Sequence, residues 1–196
     1  MKKRAVFLDR DGTINEDVGY PSNSGQVHIY PSSYEAVKKI NQAGFLAVVI
    51  TNQSGIGRGL LCEEDLESIH QKMRESFKAH KAQIDGFFYC PHYLSSAISR
   101  YNVDCACRKP HPGMGLQAAS ALGIDLAGSY MIGDKVEDIQ FGLSIRAKPI
   151  LVLTGYGKKS LATLKKEGIS PAHVAQNLLQ AVDWILEYEK AWGSIK

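Results

Sequence analysis

Apolar residues recur along the chain in two patterns. Short, β-rich runs at Ala5–Leu8, Phe45–Ile50, Phe87–Tyr89, Tyr130–Ile132 and Ile150–Leu153 each have about the length of a fully buried strand. Between them lie stretches with helical spacing. One runs from Ser32 to Ala43, opens at Pro31-Ser32-Ser33 and stops before Gly44; others span Glu63 to Lys81, Met114 to Leu122 and Lys135 to Ile145. A last stretch, Leu178 to Trp192, predicts a terminal amphipathic helix packed on the body. Strands alternating with helices call for crossover connections, hence a Rossmann-like α/β fold with a parallel sheet and helices on both faces. Ligands of such sheets sit beyond the carboxyl ends of the strands, so chemistry is expected just after each strand. The least regular stretch, Tyr89 to Gly113, holds three cysteines and three prolines.

Composition narrows the class. The 196 residues are 44% hydrophobic and 22% charged, which suits one domain over residues 1–196 with an ordinary buried core. A net charge of +3 falls short of a basic stripe, so no nucleic-acid partner is expected; a local anionic site accounts for it. No apolar run approaches the roughly 18 residues that span a bilayer, so no membrane partner is expected. The start, Met1 to Asp9, moves from charge straight into a strand, unlike a signal peptide. Three of the four cysteines cluster with a histidine, which fits a reduced metal site and a cytoplasmic location better than disulfides.

Four segments carry candidate chemistry. The first strand ends in Asp9-Arg10-Asp11-Gly12-Thr13, with two carboxylates two positions apart where the chain leaves the sheet. Beside a divalent cation, one can attack phosphorus and the other can move protons to and from the leaving oxygen and water. Taken alone, the string equally suits a turn. The second strand runs into Thr51-Asn52-Gln53-Ser54-Gly55, a composition suited to phosphoryl oxygens or to a plain polar turn. Arg108-Lys109-Pro110 brings two cations, Lys109 for the transferring phosphoryl and Arg108, with its planar fork, for a second anion. Gly133-Asp134 then opens a helix after a strand, and Asp134 is a hard oxygen ligand for Mg²⁺.

A separate set, Cys90-x-His92 and Cys105-x-Cys107, supplies the four donors of a closed tetrahedral zinc site, so zinc there is structural and the loop 90–107 is zinc-stabilised. His28, His70 and His80 read as surface or packing residues, and Cys62 as an ordinary, partly buried thiol.

Together these segments resemble the haloacid-dehalogenase superfamily of aspartate-nucleophile phosphatases, from residue 5 to about residue 138. The wording Asp9-Arg10-Asp11-Gly12-Thr13-Ile14-Asn15, Thr51-Asn52-Gln53-Ser54-Gly55-Ile56, Cys90-Pro91-His92, Cys105-Ala106-Cys107-Arg108-Lys109-Pro110-His111-Pro112-Gly113-Met114 and Gly133-Asp134-Lys135 is similar to the D-glycero-D-manno-heptose-1,7-bisphosphate 7-phosphatases. Tyr93 departs from many members, which carry a second histidine there.

The resemblance implies a sugar-bisphosphate phosphatase of nucleotide-activated heptose biosynthesis, acting as a monomer. Asp9 would be the nucleophile and Asp11 the acid and base, with Thr51 and Lys109 steadying the phosphoryl. Asp9, the Asp11 carbonyl and Asp134 would hold Mg²⁺. Substrate contacts would fall on Asp17, Val18, Gly19, Tyr20, Thr51, Asn52, Gln53, Ser54, Arg108, Lys109 and Lys135. The intervals between motifs leave no room for a large cap domain, so loops must set specificity. Histidinol-phosphate phosphatase is the nearest alternative, and a non-catalytic zinc-binding interaction module is the alternative of another class.

Overall fold

The computed structural model describes residues 2–191. Six strands form one parallel sheet in the order β3-β2-β1-β4-β5-β6: β1 (Ala5–Leu8), β2 (Leu46–Asn52), β3 (Gly86–Cys90), β4 (Tyr130–Gly133), β5 (Lys148–Val152) and β6 (His173–Ala175). The helices are α1 (Pro31–Gln42), the four-residue α2 (Ser54–Gly57), α3 (Glu63–Ala79), α4 (Gly113–Leu122), α5 (Val136–Ser144), α6 (Gly157–Glu167) and α7 (Leu178–Ala191).

Side chains of successive strand residues leave on opposite faces, so each central strand feeds two cores. Val6 and Leu8 join Val49 and Ile132 beneath α1, α3 and α7, whereas Ala5 and Phe7 join Val48 and Met131 beneath α4 and α5. With both faces covered, β1 is wholly buried, and its register (Val6 opposite Ala47 and Tyr130) is fixed from two sides. The strand order reverses at β1, with β2 on one side and β4 on the other. The crevice for a ligand opens at that point.

The expected strands and helices are present with shifted ends. β2 starts at Leu46 and continues through Asn52, so Thr51 belongs to the strand. Phe45 stays outside it, in the tight exit from α1 where Gly44 has φ +79°. α1 starts one residue early, because Pro31 fits the first helical position, where its missing N–H costs nothing. α6 and β6 were not expected. α6 carries four lysines and few apolar residues, and β6 is a three-residue strand that starts on a histidine. The terminal helix is described to Ala191; Trp192, its expected last residue, lies outside the described residues. Cys62 is exposed at the start of α3 rather than partly buried, and its thiol donates to Asp65 Oδ2 at 3.0 Å. No helix among the described residues is long and apolar enough to cross a membrane.

Candidate active site

Asp9 emerges from the end of β1 and Asp134 from the end of β4, and Asp138 follows in the first turn of α5. Their carboxylates are buried and lie within 4.8 Å of one another. Lys109, also buried, lies between two of them. Its Nζ donates to Asp9 Oδ1 at 2.6 Å and to the Ile50 carbonyl at 2.9 Å, and pairs with Asp138 Oδ1 at 2.6 Å. Burial pushes the Asp9 carboxyl up to about 6; Asp138 adds to the rise, and Lys109 and Lys135 restrain it. Burial, with Asp9 and Asp138, pushes Asp134 up to about 8. Three buried acids against Lys109 and Lys135 leave an excess of negative charge that a cation would neutralise.

The fit to a divalent cation rests on Asp134. Its Oδ2 accepts from the Tyr156 N–H at 2.7 Å, while its Oδ1 is buried without a hydrogen-bond partner. Two glycines clear the space around it: a Cβ on Gly12 or Gly155 would come within 2.4 or 2.2 Å of Asp134 Oδ2. Gly12 also has φ +89°, which a side chain would strain. An oxygen-only cluster of this charge suits Mg²⁺. Asp138 was not among the expected site residues. The available signal was its place four residues after Asp134, on the helix that Gly133-Asp134 opens; there Asp138 Oδ2 also caps the Lys135 N–H at 2.9 Å.

Asp11 points into a different set of partners. Arg10, wholly buried, clasps its carboxylate through Nε at 3.0 Å and Nη2 at 2.8 Å. Asn15 Nδ2 donates to Asp11 Oδ1 at 3.0 Å and Gln53 Nε2 to Asp11 Oδ2 at 2.9 Å. Burial raises the Asp11 carboxyl, but Arg10 and the amide donors outweigh it and hold the group below the usual carboxylate range. Gln53 reaches Thr51 Oγ1 as well, at 2.8 Å, which ties the hydroxyl to Asp11. Asn52 clips the Lys109 backbone twice, accepting from its N–H at 3.0 Å and donating to its carbonyl at 3.2 Å. Sequence reasoning missed Arg10, and it placed Asn52 and Gln53 only against substrate.

Above this floor opens a cleft of about 750 Å³. Asp17, Gly19, Tyr20, Ser54, Arg108 and Lys135 stand in its wall beside Asp9, Asp11, Thr51, Asn52, Gln53 and Lys109. Val18 does not line the cleft and is exposed, and Asp134 lies beneath the floor with no exposed surface. Lys135 Nζ donates to Asp17 Oδ2 at 3.0 Å; burial opposes its charge, but Asp9, Asp134 and Asp17 together keep the ammonium protonated. The cleft is therefore acidic at its floor and basic along part of its wall. Such a polarity takes a cation below and an anionic ligand above.

Beside the cleft, Cys90, His92, Cys105 and Cys107 turn their donor atoms toward one point, all within 4.8 Å of one another. The sulfur–sulfur distances are 3.0 to 3.5 Å, and His92 Nδ1 lies 3.2 Å from Cys107 Sγ. One ion with zinc–sulfur bonds of about 2.3 Å can reach all four. All three thiols are free of disulfides. The chain passes from Cys107 directly into Arg108 and Lys109, so this cluster anchors the segment that carries both cations.

Known proteins share this fold. A HAD-hydrolase-like family model matches residues 106–181. The D-glycero-beta-D-manno-heptose-1,7-bisphosphate 7-phosphatase of Escherichia coli K12 is 39% identical over 183 residues, covering 93% of this chain and 87% of its own length. The protein of that name in Vibrio cholerae is 45% identical over 139 residues, covering 71% and 75%. Among solved structures, the D,D-heptose 1,7-bisphosphate phosphatase of B. bronchiseptica, complexed with magnesium and phosphate, superposes with a TM-score of 0.83 at 33% identity over 94% of this chain and 99% of that one. With its Rossmann-like parallel sheet and its acidic cleft at the strand ends, the chain belongs to the D-glycero-D-manno-heptose-1,7-bisphosphate 7-phosphatase family of haloacid-dehalogenase-like phosphatases.

Proposed function

We propose that this chain hydrolyses the 7-phosphate of D-glycero-beta-D-manno-heptose 1,7-bisphosphate through a phosphoryl-aspartate on Asp9, as a step in nucleotide-activated heptose synthesis. The observation that carries the chemistry is the floor of the cleft, where Lys109 Nζ bridges Asp9 and Asp138 and Asp134 keeps an unpartnered buried oxygen. The relatives that carry the substrate's name support the choice of ester.

Asp9 attacks phosphorus with a carboxylate oxygen as the bond to the sugar oxygen breaks. Asp11, held as a carboxylate by Arg10, Asn15 and Gln53, takes up the proton of the substrate's phosphate monoanion and passes it to that leaving oxygen, then takes one from the water that attacks the phosphoryl-aspartate. The products are the sugar monophosphate and inorganic phosphate, with Asp9 restored. Lys109 holds Asp9 in place and offsets charge on the phosphoryl oxygens, and the Thr51 hydroxyl donates to one of them. Asp9, Asp134 and the Asp11 carbonyl would hold Mg²⁺, which supplies further neutralisation of phosphoryl charge when bound. Arg108 faces the cleft from the rim, with Nη1 3.4 Å from the His92 carbonyl, and its fork suits the phosphate that remains.

Zinc on the Cys90–His92–Cys105–Cys107 cluster would have a structural role, since four protein donors leave no open position. Reduced thiols fit a cytoplasmic setting.

The test is phosphate release with Mg²⁺ from both anomers of the heptose bisphosphate, other sugar bisphosphates and histidinol phosphate. The β-anomer is expected to have the highest kcat/KM. Faster turnover of histidinol phosphate would replace the reading by the alternative enzyme.

A further inference from the structure

Arg58 follows α2 and is exposed, and its guanidinium carbon lies 3.7 Å from the centre of the Tyr93 ring and 5.7 Å from that of Tyr20. Tyr93 belongs to the loop held by the Cys–His cluster; Tyr20, 46% exposed, stands in the cleft wall. Among the described residues no carboxylate forms an ion pair with Arg58, so the two rings are its specific side-chain partners.

α2 packs against both sides through glycines. A Cβ on Gly57 would come within 2.7 Å of the Pro91 carbonyl and 3.1 Å of Tyr93 Cβ, and one on Gly55 within 2.8 Å of Tyr20 Cδ1. The Gly57 N–H donates to the Pro91 carbonyl at 3.1 Å, and Ser96 Oγ donates to the Gly57 carbonyl. The short helix is thus a spacer between the Cys–His loop and the segment bearing Tyr20, and Arg58 closes over its end across both rings. An exposed aromatic residue on a loop samples several rotamers unless something covers one face. Here the covering group is a cation on the ring face, at distances where cation–π attraction operates.

We propose that Arg58 is a positioning residue for substrate: it ties the Cys–His loop to Tyr20 and sets the aromatic wall against which the sugar of the bisphosphate lies. The proposal rests on the substrate reading above. It assigns a role in binding rather than in bond cleavage, since Arg58 does not line the cleft.

The test uses the full-length protein and its Arg58→Ala, Arg58→Lys, Tyr93→Ala and Arg58→Ala/Tyr93→Ala variants. Each is assayed on the heptose bisphosphate and on p-nitrophenyl phosphate, which has no sugar to lie on Tyr20. Arg58→Ala is expected to raise KM for the bisphosphate about threefold to tenfold, with kcat for that substrate within about twofold. Its KM for p-nitrophenyl phosphate should not follow. Arg58→Lys should recover part of the loss, and the double variant should lose no more than Arg58→Ala alone, since one contact is broken either way. Limited proteolysis should show faster cutting within residues 16–22 in Arg58→Ala and in Tyr93→Ala. Unaltered bisphosphate KM, equal losses on both substrates, additive losses or an unchanged proteolysis pattern would each overturn the proposal. A parent protein that hydrolyses p-nitrophenyl phosphate but leaves the bisphosphate intact would refute the substrate reading instead, and proteolysis would still decide whether Arg58 holds Tyr20.

Discussion

Lys109 and Asp138 form a buried ion pair with Nζ 2.6 Å from Oδ1, and the same Nζ holds Asp9 at 2.6 Å. Asp138 thus shares with Asp9 the task of placing Lys109, the one buried lysine among the described residues. Asp138→Asn removes one of two charges facing Lys109 and weakens the acidic cluster. Activity should fall about 10- to 100-fold, the range for groups that orient a metal site, and half-maximal activity should need more Mg²⁺. Unchanged kcat and unchanged Mg²⁺ dependence would leave Asp138 as a helix cap only.

Asp9→Asn should abolish turnover while the protein keeps its melting behaviour, because an amide cannot attack phosphorus. Residual turnover near the parent's rate would remove the covalent route.

Asp11→Asn should cost most where the leaving group is poor. The variant's loss on an alkyl phosphate should exceed its loss on p-nitrophenyl phosphate by about 10²-fold, in line with general-acid assistance. Arg10 donates to Asp11 through both Nε and Nη2 and should matter through it. Arg10→Lys, which lacks the fork, should show the same leaving-group dependence in weaker form. Losses independent of the leaving group would take the proton away from Asp11.

Cys105→Ser should lower zinc content, speed proteolysis within residues 90–107 and reduce activity that added Mg²⁺ does not restore, because the loop runs into Arg108 and Lys109. Purified protein without zinc, or an unaltered variant, would make the cluster incidental.

Glu63 carries a pH dependence of that same loop. At the start of α3 it accepts from Tyr89 Oη at 2.7 Å and from Tyr101 Oη at 2.6 Å. The Tyr101 and Tyr89 hydroxyls hold its carboxyl below the ordinary value of 4.5. The folded state therefore binds the proton less tightly than the unfolded one. Its stabilising contribution is complete above about pH 4.5 and is lost as pH falls through the lower folded value. Glu63→Gln should melt lower than the parent at neutral pH, and the gap should narrow on acidification below that range. A constant gap would show that the charge of Glu63 is not what the two phenols hold.

The sheet and the floor of the cleft were legible because both depend on short strings: continuous apolar runs for strands buried on two faces, and polar residues at their ends. Asp9, Thr51 and Asp134 could be found that way, and Lys109 through the Arg108-Lys109-Pro110 string on the loop leading from β3. Arg10 could not, since it lies between two expected residues and its role depends on where its side chain turns; Asp138 offered only its spacing, four residues after Asp134 on the helix that Gly133-Asp134 opens. Asn52 and Gln53 line the cleft as expected, yet their amides also brace Lys109 and Asp11, contacts that cross more than forty residues of sequence. α6 escaped notice because its apolar face is narrow, with Leu164 buried among lysine-rich turns. Strand β6 was too short to leave a pattern.

The position of β1 has a consequence for synthesis of the protein. It leaves the ribosome before the other five strands, yet it pairs with β2 on one side and β4 on the other, and Asp9 meets Lys109 across 100 residues. A nascent chain that has reached β3 can pair only one side of β1, and its apolar second side, with Phe7 and Leu8 unmatched, has no neighbour. Until Tyr130–Asp138 emerges, Asp9 is the one acid of the floor in place, at the end of a strand with an open edge. The protein therefore gains its central strand pairing and its candidate chemistry in the same late step of translation, and the preceding stage is the one in which an exposed strand edge makes the chain most prone to aggregate.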